Sequence, residues 1–183
     1  MPATWLPSDF EPLLQKIAQK LIARKETVAV AESTTGGLLS ASLLSVAGAS
    51  AYYRGGAVLY TLPSRKSWAE WTDEMAKNYK GTTPELMQHT AESVRKQLDA
   101  TWCIGESGIA GPKGFGPTRP AGLTVVSIVG PVSKTATIKT GLEDRPQNME
   151  EFARRALGLF VEALEEADGR KAPGGPKRMK LKL

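Results

Sequence analysis

The sequence predicts an α/β protein, a three-layer α/β/α sandwich whose sheet is mostly parallel and partly antiparallel. Over most of the chain, short apolar segments alternate with amphipathic helical patterns. Late in the chain, two strand patterns at 122–129 and 134–140 flank the turn residues Gly130 and Pro131, which predicts an antiparallel hairpin. Strands that alternate with helices form a parallel sheet covered on both faces, and the hairpin adds antiparallel strands to it.

The individual elements follow from hydrophobic spacing and from helix start signals. Apolar residues at the i, i+3, i+4 spacing predict a first helix, and Thr83 followed by Pro84 predicts the start of a later one. The predicted helices span 9–25, 36–46, 83–98 and 145–167, with another beginning near Ser64 and irregular or short helical structure at 70–82. The predicted strands before the hairpin span 27–31, 57–60 and 101–106.

The charge distribution predicts one folded domain at 9–167 and a basic, disordered tail at 168–183. The net charge is +5, but the last fifteen residues hold six basic side chains and no acidic one. Without them the chain has 18 basic and 19 acidic residues, a net charge of −1. A nucleic-acid-binding domain is expected to carry its positive charge on the folded surface, so the composition argues against nucleic acid as a partner. The tail is expected to be an inert solvated extension.

Cysteine usage and hydropathy indicate a cytoplasmic protein. A single cysteine, Cys103, excludes an intramolecular disulfide framework. No apolar run approaches the ~20 residues that span a bilayer, and the first residues lack the pattern of a signal peptide. Tyr52, Tyr53 and the four tryptophans are large apolar side chains that would suit the interface of a homodimer.

The first candidate site lies in the segment 28–39. A β-branched run ends in a hydroxyl-rich turn with Ser33, and the glycines Gly36 and Gly37 precede an apolar helical pattern. Such a strand–turn–helix junction directs backbone N–H groups and the positive end of a helix to one point, which suits an anion or a developing oxyanion. The same residues are equally typical of an ordinary helix N-cap, and the pattern leaves both interpretations open.

A second candidate is the loop at 107–120, which follows a predicted strand. It contains four glycines and three prolines and is longer than a plain connection requires. In open α/β sheets the loops after the strands converge on the ligand, and glycines let backbone approach it. The alternative is an ordered Ω-loop without a ligand.

The inventory of reactive side chains narrows the chemistry. One histidine and one cysteine cannot supply a zinc site, so no metal is predicted. His89 falls within a predicted helix and is interpreted as a surface residue, and Cys103 as a core residue. If Ser33 is a nucleophile, its proton acceptor must be another group, for which Tyr60 and Lys66 are the nearest candidates by topology. A solvated Lys66 remains the alternative.

Five segments resemble a known family. Residues 31–39 are similar to the signature AES(C/T)TGGLL, and 48–56 to PGSSxYFxGG. Residues 107–112 are similar to (T/S)GIAGP, and 119–125 to KPVGTVY. Asp144, Arg145 and Asn148 are similar to DRxxNR. By these motifs, which follow one another in the order of the family, the chain resembles the CinA C-terminal domain family, whose bacterial members include nicotinamide-nucleotide amidases. The resemblance extends from about residue 10 to residue 166.

The resemblance implies an α/β/α domain that hydrolyses the carboxamide of nicotinamide mononucleotide to nicotinate mononucleotide and ammonia, without a metal or an organic cofactor. It implies that Ser33 is the nucleophile and that Tyr60 and Lys66 assist proton transfer. The hypothesis places the oxyanion on N–H groups of the first motif and the nucleotide phosphate on the glycine-rich loop and an arginine. The predicted substrate-binding residues are Thr34, Thr35, Gly36, Gly37, Gly108, Ile109, Ala110, Gly111, Arg119 and Arg145.

The chain also departs from the family pattern. Lys66 lies one residue beyond the usual lysine position, where this chain has Arg65, and Glu106 stands where a neutral residue is usual. Thr34 replaces a frequent cysteine, and Met149 a frequent arginine. The two charged departures favour an alternative: a member that binds a nucleotide or a partner protein but is catalytically weak or inactive.

Overall fold

The computed structural model describes residues 6–116 and 118–171. These residues form the helices α1 (Glu11–Arg24), α2 (Leu38–Leu44), α3 (Leu62–Trp68), α4 (Asp73–Lys77), α5 (Pro84–Gln97) and α6 (Arg145–Lys171). They form the strands β1 (Val28–Glu32), β2 (Tyr53–Val58), β3 (Trp102–Ile109), β4 (Leu123–Val129) and β5 (Lys134–Lys139). Two single turns of 3-10 helix, Ser8–Phe10 and Ala49–Ala51, precede α1 and β2.

The strands form one sheet in the order β2-β1-β3-β4-β5. β1 pairs in parallel with β2 and β3, whereas β3, β4 and β5 are consecutive antiparallel neighbours. The predicted mixed α/β sheet and its hairpin are confirmed, although parallel and antiparallel pairings are equal in number. The parallel register sets Glu32 opposite Glu106, so two acidic residues meet where β1 ends.

Helices cover both faces of the sheet. One face packs against α1, α2 and α6 through a large apolar cluster that includes Phe10, Trp102 and Phe160. The other face packs against α5 through a smaller cluster that includes Val94 and Trp71. All five residues of β1 are buried, while exposure alternates along β2 and β5 as expected for edge strands. The carboxyl ends of β1 and β3 therefore meet near the middle of the sheet.

Side-chain caps fix where two of the helices begin. The Thr61 hydroxyl accepts a hydrogen bond from the Ser64 N–H at 3.3 Å, and the Ser64 hydroxyl accepts one from the Thr61 N–H at 3.2 Å. This capping box starts α3 at Leu62. Thr83 caps α5, with Pro84 in its first turn, as the sequence predicts. The start of α3 matters for the site because it sets which side chains of that helix point inward.

Two strands differ from their predicted limits. β2 begins at Tyr53 rather than at residue 57, and it includes Gly55 and Gly56. Gly56 serves packing rather than turning, because a Cβ there would lie 2.5 Å from the Ser40 hydroxyl of α2. β3 continues beyond residue 106 to Ile109, since β4 pairs with it up to that residue. The first residues of the predicted loop at 107–120 are therefore strand.

Several predictions concern the ends and the surface of the chain. α6 extends to Lys171, into the segment predicted as a tail, and residues 172–183 lie outside the described residues. No helix in the described part of the chain is long and apolar enough to cross a membrane.

Tyr52, Trp71 and Trp102 are buried, so they do not provide the apolar surface on which the homodimer prediction relies. Trp68 is exposed, and Trp5 is not among the described residues.

Gly105 tests the close approach of α5 to β3. A Cβ at this position would lie 2.9 Å from Ala91 Cβ and 2.9 Å from Met87 Cε, so Gly105→Ala should lower the free energy of unfolding by about 1–3 kcal/mol. Gly158→Ala is the matched control, because Gly158 lies within α6 with no atom near the added methyl group. This control should raise the stability by about 0.5–1 kcal/mol through helix propensity. Urea unfolding measures both changes. A stability of Gly105→Ala equal to that of the parent would contradict the close packing of α5 on β3.

Candidate functional site

A cavity of about 360 Å³ opens at the carboxyl ends of β1 and β3. Its floor contains Ser33, Arg65, Ser107 and Thr124, which are all at least nine-tenths buried. Its mouth includes the exposed rings of Tyr60 and Phe115. The position at the end of a central parallel strand is where α/β sheets commonly bind ligands.

Ser33 follows β1 directly and is only 6% exposed. Its hydroxyl accepts a hydrogen bond from Arg65 Nη2 at 3.3 Å. Ser33 lines the cavity at the point where β1 ends. Its role as a nucleophile stays a prediction.

The turn that carries Ser33 is folded around the side chain of Glu106. Glu106 Oε2 accepts the N–H groups of Thr34 at 2.9 Å and Thr35 at 3.0 Å, and it lies 3.4 Å from the N–H of Ser33. Glu106 Oε1 accepts the hydroxyl of Thr124 at 2.8 Å. The chain thus places its own carboxylate in the concave group of N–H donors that an external anion would otherwise bind.

A second carboxylate, that of Glu32, caps α2. Its oxygens accept the N–H groups of Leu39 and Ser40, each at 3.1 Å, and the hydroxyl of Thr35 at 2.7 Å. The positive end of α2 is therefore neutralised from within the protein.

These contacts correct the predicted oxyanion site at 35–37. The Thr35 N–H donates to Glu106, and the hydroxyl of Thr35 donates to Glu32. Thr35, Gly36 and Gly37 line a separate shallow groove beside Pro146 and Met149 instead of the cavity at Ser33. The reason is that the glycines, both at positive φ, turn the chain away toward α2 immediately after the hydroxyl-rich turn.

Burial controls the ionisation of Glu106. The side chain is fully buried, and desolvation raises its pKa above the ordinary value for a glutamate. The donors from Thr35, Thr124 and Ser33 partly oppose this shift, and the charge of Glu32 adds to it.

Arg65, rather than Lys66, reaches the site. Its Nε donates to the carbonyl of Leu59 at 3.1 Å, and its Nη2 donates to the hydroxyls of Ser33 and Ser107. The predicted role of Lys66 is corrected: Lys66 is exposed, does not line the cavity and forms an ion pair with Asp73. The capping box starts α3 such that position 65 faces inward and position 66 faces solvent.

Two aromatic rings hold the guanidinium of Arg65 in place. The centroids of Trp71 and Tyr79 each lie 5.1 Å from its central carbon. Tyr79 in turn contacts the hydroxyl of Thr82 at 3.1 Å, and Thr82 donates to Ser107 at 2.8 Å. A continuous polar network thus joins the rings to the floor of the cavity.

The mouth of the cavity is built from the predicted arginines and from Tyr60. Arg145 at the start of α6 donates to the carbonyl of Gly111 at 3.2 Å and to the hydroxyl of Tyr60 at 3.3 Å. Arg119 donates to the carbonyl of Thr82 at 2.7 Å. Tyr60 is 60% exposed and has no hydrogen bond to Ser33, so the predicted proton-transfer residue does not contact the predicted nucleophile.

The segment 108–111, which the sequence predicts to bind the substrate, forms one wall of the cavity. Thr34 binds both backbone groups of Gly108 through its hydroxyl, at 2.6 Å to the N–H and 2.9 Å to the carbonyl. Asn148 donates to the carbonyl of Ala110 at 2.9 Å. Ile109 and Gly111 complete the wall.

The remaining reactive groups lie apart from the cavity. Cys103 is fully buried in β3, and burial raises the pKa of its thiol far above the ordinary value. His89 lies on α5, where its Nε2 is 3.3 Å from the carbonyl of Glu70. Across residues 6–116 and 118–171, no group of three His, Cys, Asp or Glu side chains could hold a metal ion.

Comparison with known proteins places this site in a family. The family model described as CinA C-terminal domain matches residues 10–164. The chain belongs to the CinA C-terminal domain family. This match contains every described residue that lines the cavity.

Relatives by sequence carry the name CinA-like protein. One from Prochlorococcus marinus (strain MIT 9301) is 39% identical over 131 residues, covering 72% of this chain and 31% of the relative. One from Desulforapulum autotrophicum is 32% identical over 147 residues, covering 80% of this chain and 35% of the relative. The chain thus spans about a third of the length of the curated relatives it matches.

Solved structures of similar proteins share the fold. The competence/damage inducible protein CihA from Agrobacterium tumefaciens superposes with a TM-score of 0.83 at 25% identity, covering 89% of this chain and 99% of that one. The competence damage-inducible protein A (ComA) from Klebsiella pneumoniae gives a TM-score of 0.79 at 26% identity, with coverages of 84% and 96%. The fold of the family is therefore shown for this chain.

Glu106→Gln tests the buried carboxylate. Because the folded pKa is raised, the stability that the protonated carboxyl contributes is fully present below its unfolded pKa and is lost as pH rises through the folded pKa. The amide can still accept from Thr34 and Thr35 but carries no charge. The stability of Glu106→Gln relative to the parent should therefore increase between about pH 5 and about pH 8, by about 1.4 kcal/mol for each unit of the shift.

The control for this experiment is Glu85→Gln, and urea unfolding at both pH values is the measurement. Hydrogen bonds at the start of α5 lower the pKa of Glu85, so its contribution is present above its unfolded pKa and is lost as pH falls. Glu85→Gln should therefore keep a nearly constant stability relative to the parent between about pH 5 and about pH 8, because the contribution of Glu85 is present throughout this range and is lost only below its unfolded pKa. A relative stability of Glu106→Gln that stays constant with pH would contradict a raised pKa.

Proposed function

We propose that the cavity binds a pyridine mononucleotide, with the ring carboxamide at the floor beside Ser33 and the phosphate at the mouth. We propose further that Ser33 hydrolyses this carboxamide, the reaction that the family resemblance implies for nicotinamide mononucleotide, but only slowly. The observation that carries both parts is the position of Arg65 against the hydroxyl of Ser33.

The charge of the cavity supports an anionic ligand. Four basic residues line it, namely Arg65, Lys113, Arg119 and Arg145, and no acidic residue is among its described lining. Three of the four lie toward the mouth, where a phosphate remains partly solvated. Arginine and lysine are the usual side-chain partners of phosphate.

The shape of the cavity supports a ligand with an aromatic ring. Its volume lies within the range of small-molecule sites. Tyr79 and Phe115 line it with ring centroids 6.4 Å apart and planes tilted by 41°. A pyridine ring that enters between mouth and floor would contact these rings and bring its carboxamide to Ser33.

The expected chemistry is acyl transfer. The Ser33 oxygen adds to the amide carbon, the leaving nitrogen takes up the proton that the serine lost and departs as ammonia when the C–N bond breaks, and water then releases the acid from the serine ester. The first step needs an acceptor for the serine proton. The group that is hydrogen-bonded to the Ser33 oxygen is the guanidinium of Arg65. It stabilises an alkoxide, but it stays protonated and cannot accept the serine proton.

The alternative is a nucleotide-binding protein that does not hydrolyse its ligand. The observation that favours it is the same arginine, together with the Glu106 carboxylate that occupies the N–H donors of the turn. Under this alternative Ser33 is a binding residue. The two functions share the ligand and differ in ammonia release.

Arg65→Lys distinguishes them. A lysine at this buried position, next to Trp71 and Tyr79, would have a lowered pKa and could accept the serine proton. Ammonia release from nicotinamide mononucleotide should rise by about 10²-fold or more over the parent. A coupled glutamate dehydrogenase assay measures the ammonia.

Two further variants make the outcome specific. Adding Ser33→Ala to Arg65→Lys should remove the gain, because the nucleophile is lost. Lys66→Ala should leave the rate unchanged, because Lys66 lies outside the cavity. Binding of the nucleotide without ammonia release by Arg65→Lys would establish the alternative, and absence of binding by the parent would overturn both functions.

A further inference from the structure

Resting on the proposed function, we propose that Arg65 makes the floor of the cavity a carboxylate-binding site, so that the chain prefers a pyridine mononucleotide whose ring bears a carboxylate over one that bears a carboxamide. The preferred ligand is then a dianionic mononucleotide with negative groups at both ends. The ring carboxylate lies against Arg65, and the phosphate lies at the mouth.

The first support is a buried cation without an anionic partner. Arg65 is 6% exposed, yet no carboxylate of the described residues lies within ion-pairing distance of its guanidinium. Its protein partners are the carbonyl of Leu59, the hydroxyls of Ser33 and Ser107, and two aromatic faces. A buried charge that lacks a counter-ion is costly, so a ligand carboxylate that supplies one gains affinity.

The second support is the direction of the hydrogen bonds at the floor. Arg65 Nη1 has no hydrogen-bond partner among residues 6–116 and 118–171, and it is not sealed from solvent. Ser107 accepts hydrogen bonds from both Arg65 and Thr82, which leaves its own proton available as a donor. The floor therefore offers N–H and O–H donors, and a carboxylate is a ligand group that only accepts.

A carboxamide fits the same floor less well. Its oxygen can accept from Arg65 or Ser107, but its NH₂ group brings two donors to a surface that already presents donors. One of these donors would have to face a guanidinium N–H or lose its partner on binding. Sites discriminate strongly between groups when the wrong one leaves a buried donor unpaired.

The carboxylates near the turn of Ser33 do not neutralise the guanidinium of Arg65. Glu106 and Glu32, the two carboxylates nearest in the fold to the turn of Ser33, are engaged with backbone N–H groups and hydroxyls. The cavity lining itself contributes Lys113, Arg119 and Arg145 and no acid among its described residues. The anion that pairs with Arg65 must come from the ligand.

The experiment is isothermal titration calorimetry of the full chain with nicotinate mononucleotide and with nicotinamide mononucleotide. The parent should bind the acid at least tenfold more tightly than the amide, as expected for a charge-assisted hydrogen bond. Arg65→Gln should weaken binding of the acid and bring the ratio of the two dissociation constants close to one. Arg155→Gln, which removes an exposed arginine that does not line the cavity, should keep the ratio of the parent.

The outcomes separate this inference from the proposed function. If the parent binds the amide as tightly as the acid, the inference is overturned while the proposed function stands. If it binds neither nucleotide, both are overturned. Should Arg65→Gln fail to fold, the ratio measured for the parent decides alone, and ribose 5-phosphate as a third probe shows whether the preference comes from the ring substituent.

Discussion

The site depends on one interaction, the insertion of the Glu106 carboxylate into the turn that follows β1. One oxygen accepts the N–H groups of Thr34 and Thr35 and also faces that of Ser33. These contacts hold the hydroxyl-rich turn in the conformation in which Ser33 lines the cavity. Because Glu106 lies on β3, they also tie the ends of two parallel strands together at the cavity. Burying a carboxyl group in this way is tolerated only where several donors surround it.

This carboxylate changes how the cavity can bind an anion. In many α/β proteins the N–H groups after the first strand and the start of the next helix hold a phosphate or an oxyanion. Here Glu106 and Glu32 occupy both sets of donors. Positive charge at the cavity therefore comes from side chains, and Arg65 supplies it at the floor. At the floor of the cavity, an arginine side chain rather than backbone N–H groups is therefore available to bind an anion.

Much of the fold could be predicted from the sequence, because hydrophobic spacing within each element reflects burial directly. Gly55 and Gly56 are typical of turns, so the sequence predicts that β2 begins only at residue 57, whereas the contact with α2 that requires Gly56 is not local. The start of β3 was predicted well, but its extension past Glu106 depends on pairing with β4. Such contacts between distant segments leave no periodic signal in either segment.

The sequence predicts several residues that line the cavity, and the exposure of Lys66 has a local cause that the sequence also contains. The sequence Thr61-Leu62-Pro63-Ser64 contains the signal of a capping box, which fixes the first turn of α3. Counting from Leu62, a helical period brings position 65 and then position 69 to the inner face, and both are buried. The donors that surround Glu106, by contrast, come from two segments far from it in the chain, 33–35 and Thr124, and sequence alone could not bring them together.

Ser33 consequently lies between a buried carboxyl group and a buried cation. Its N–H faces Glu106 and its hydroxyl oxygen faces Arg65, so the negative end of the local field is on the backbone side and the positive end on the cavity side. Such a field stabilises negative charge that develops on the serine oxygen or on a ligand beside it, but it provides no group to remove the proton. The rings of Trp71 and Tyr79 and the Leu59 carbonyl keep the guanidinium from turning away. The arrangement is therefore better suited to holding a ligand anion at the floor than to rapid amide cleavage.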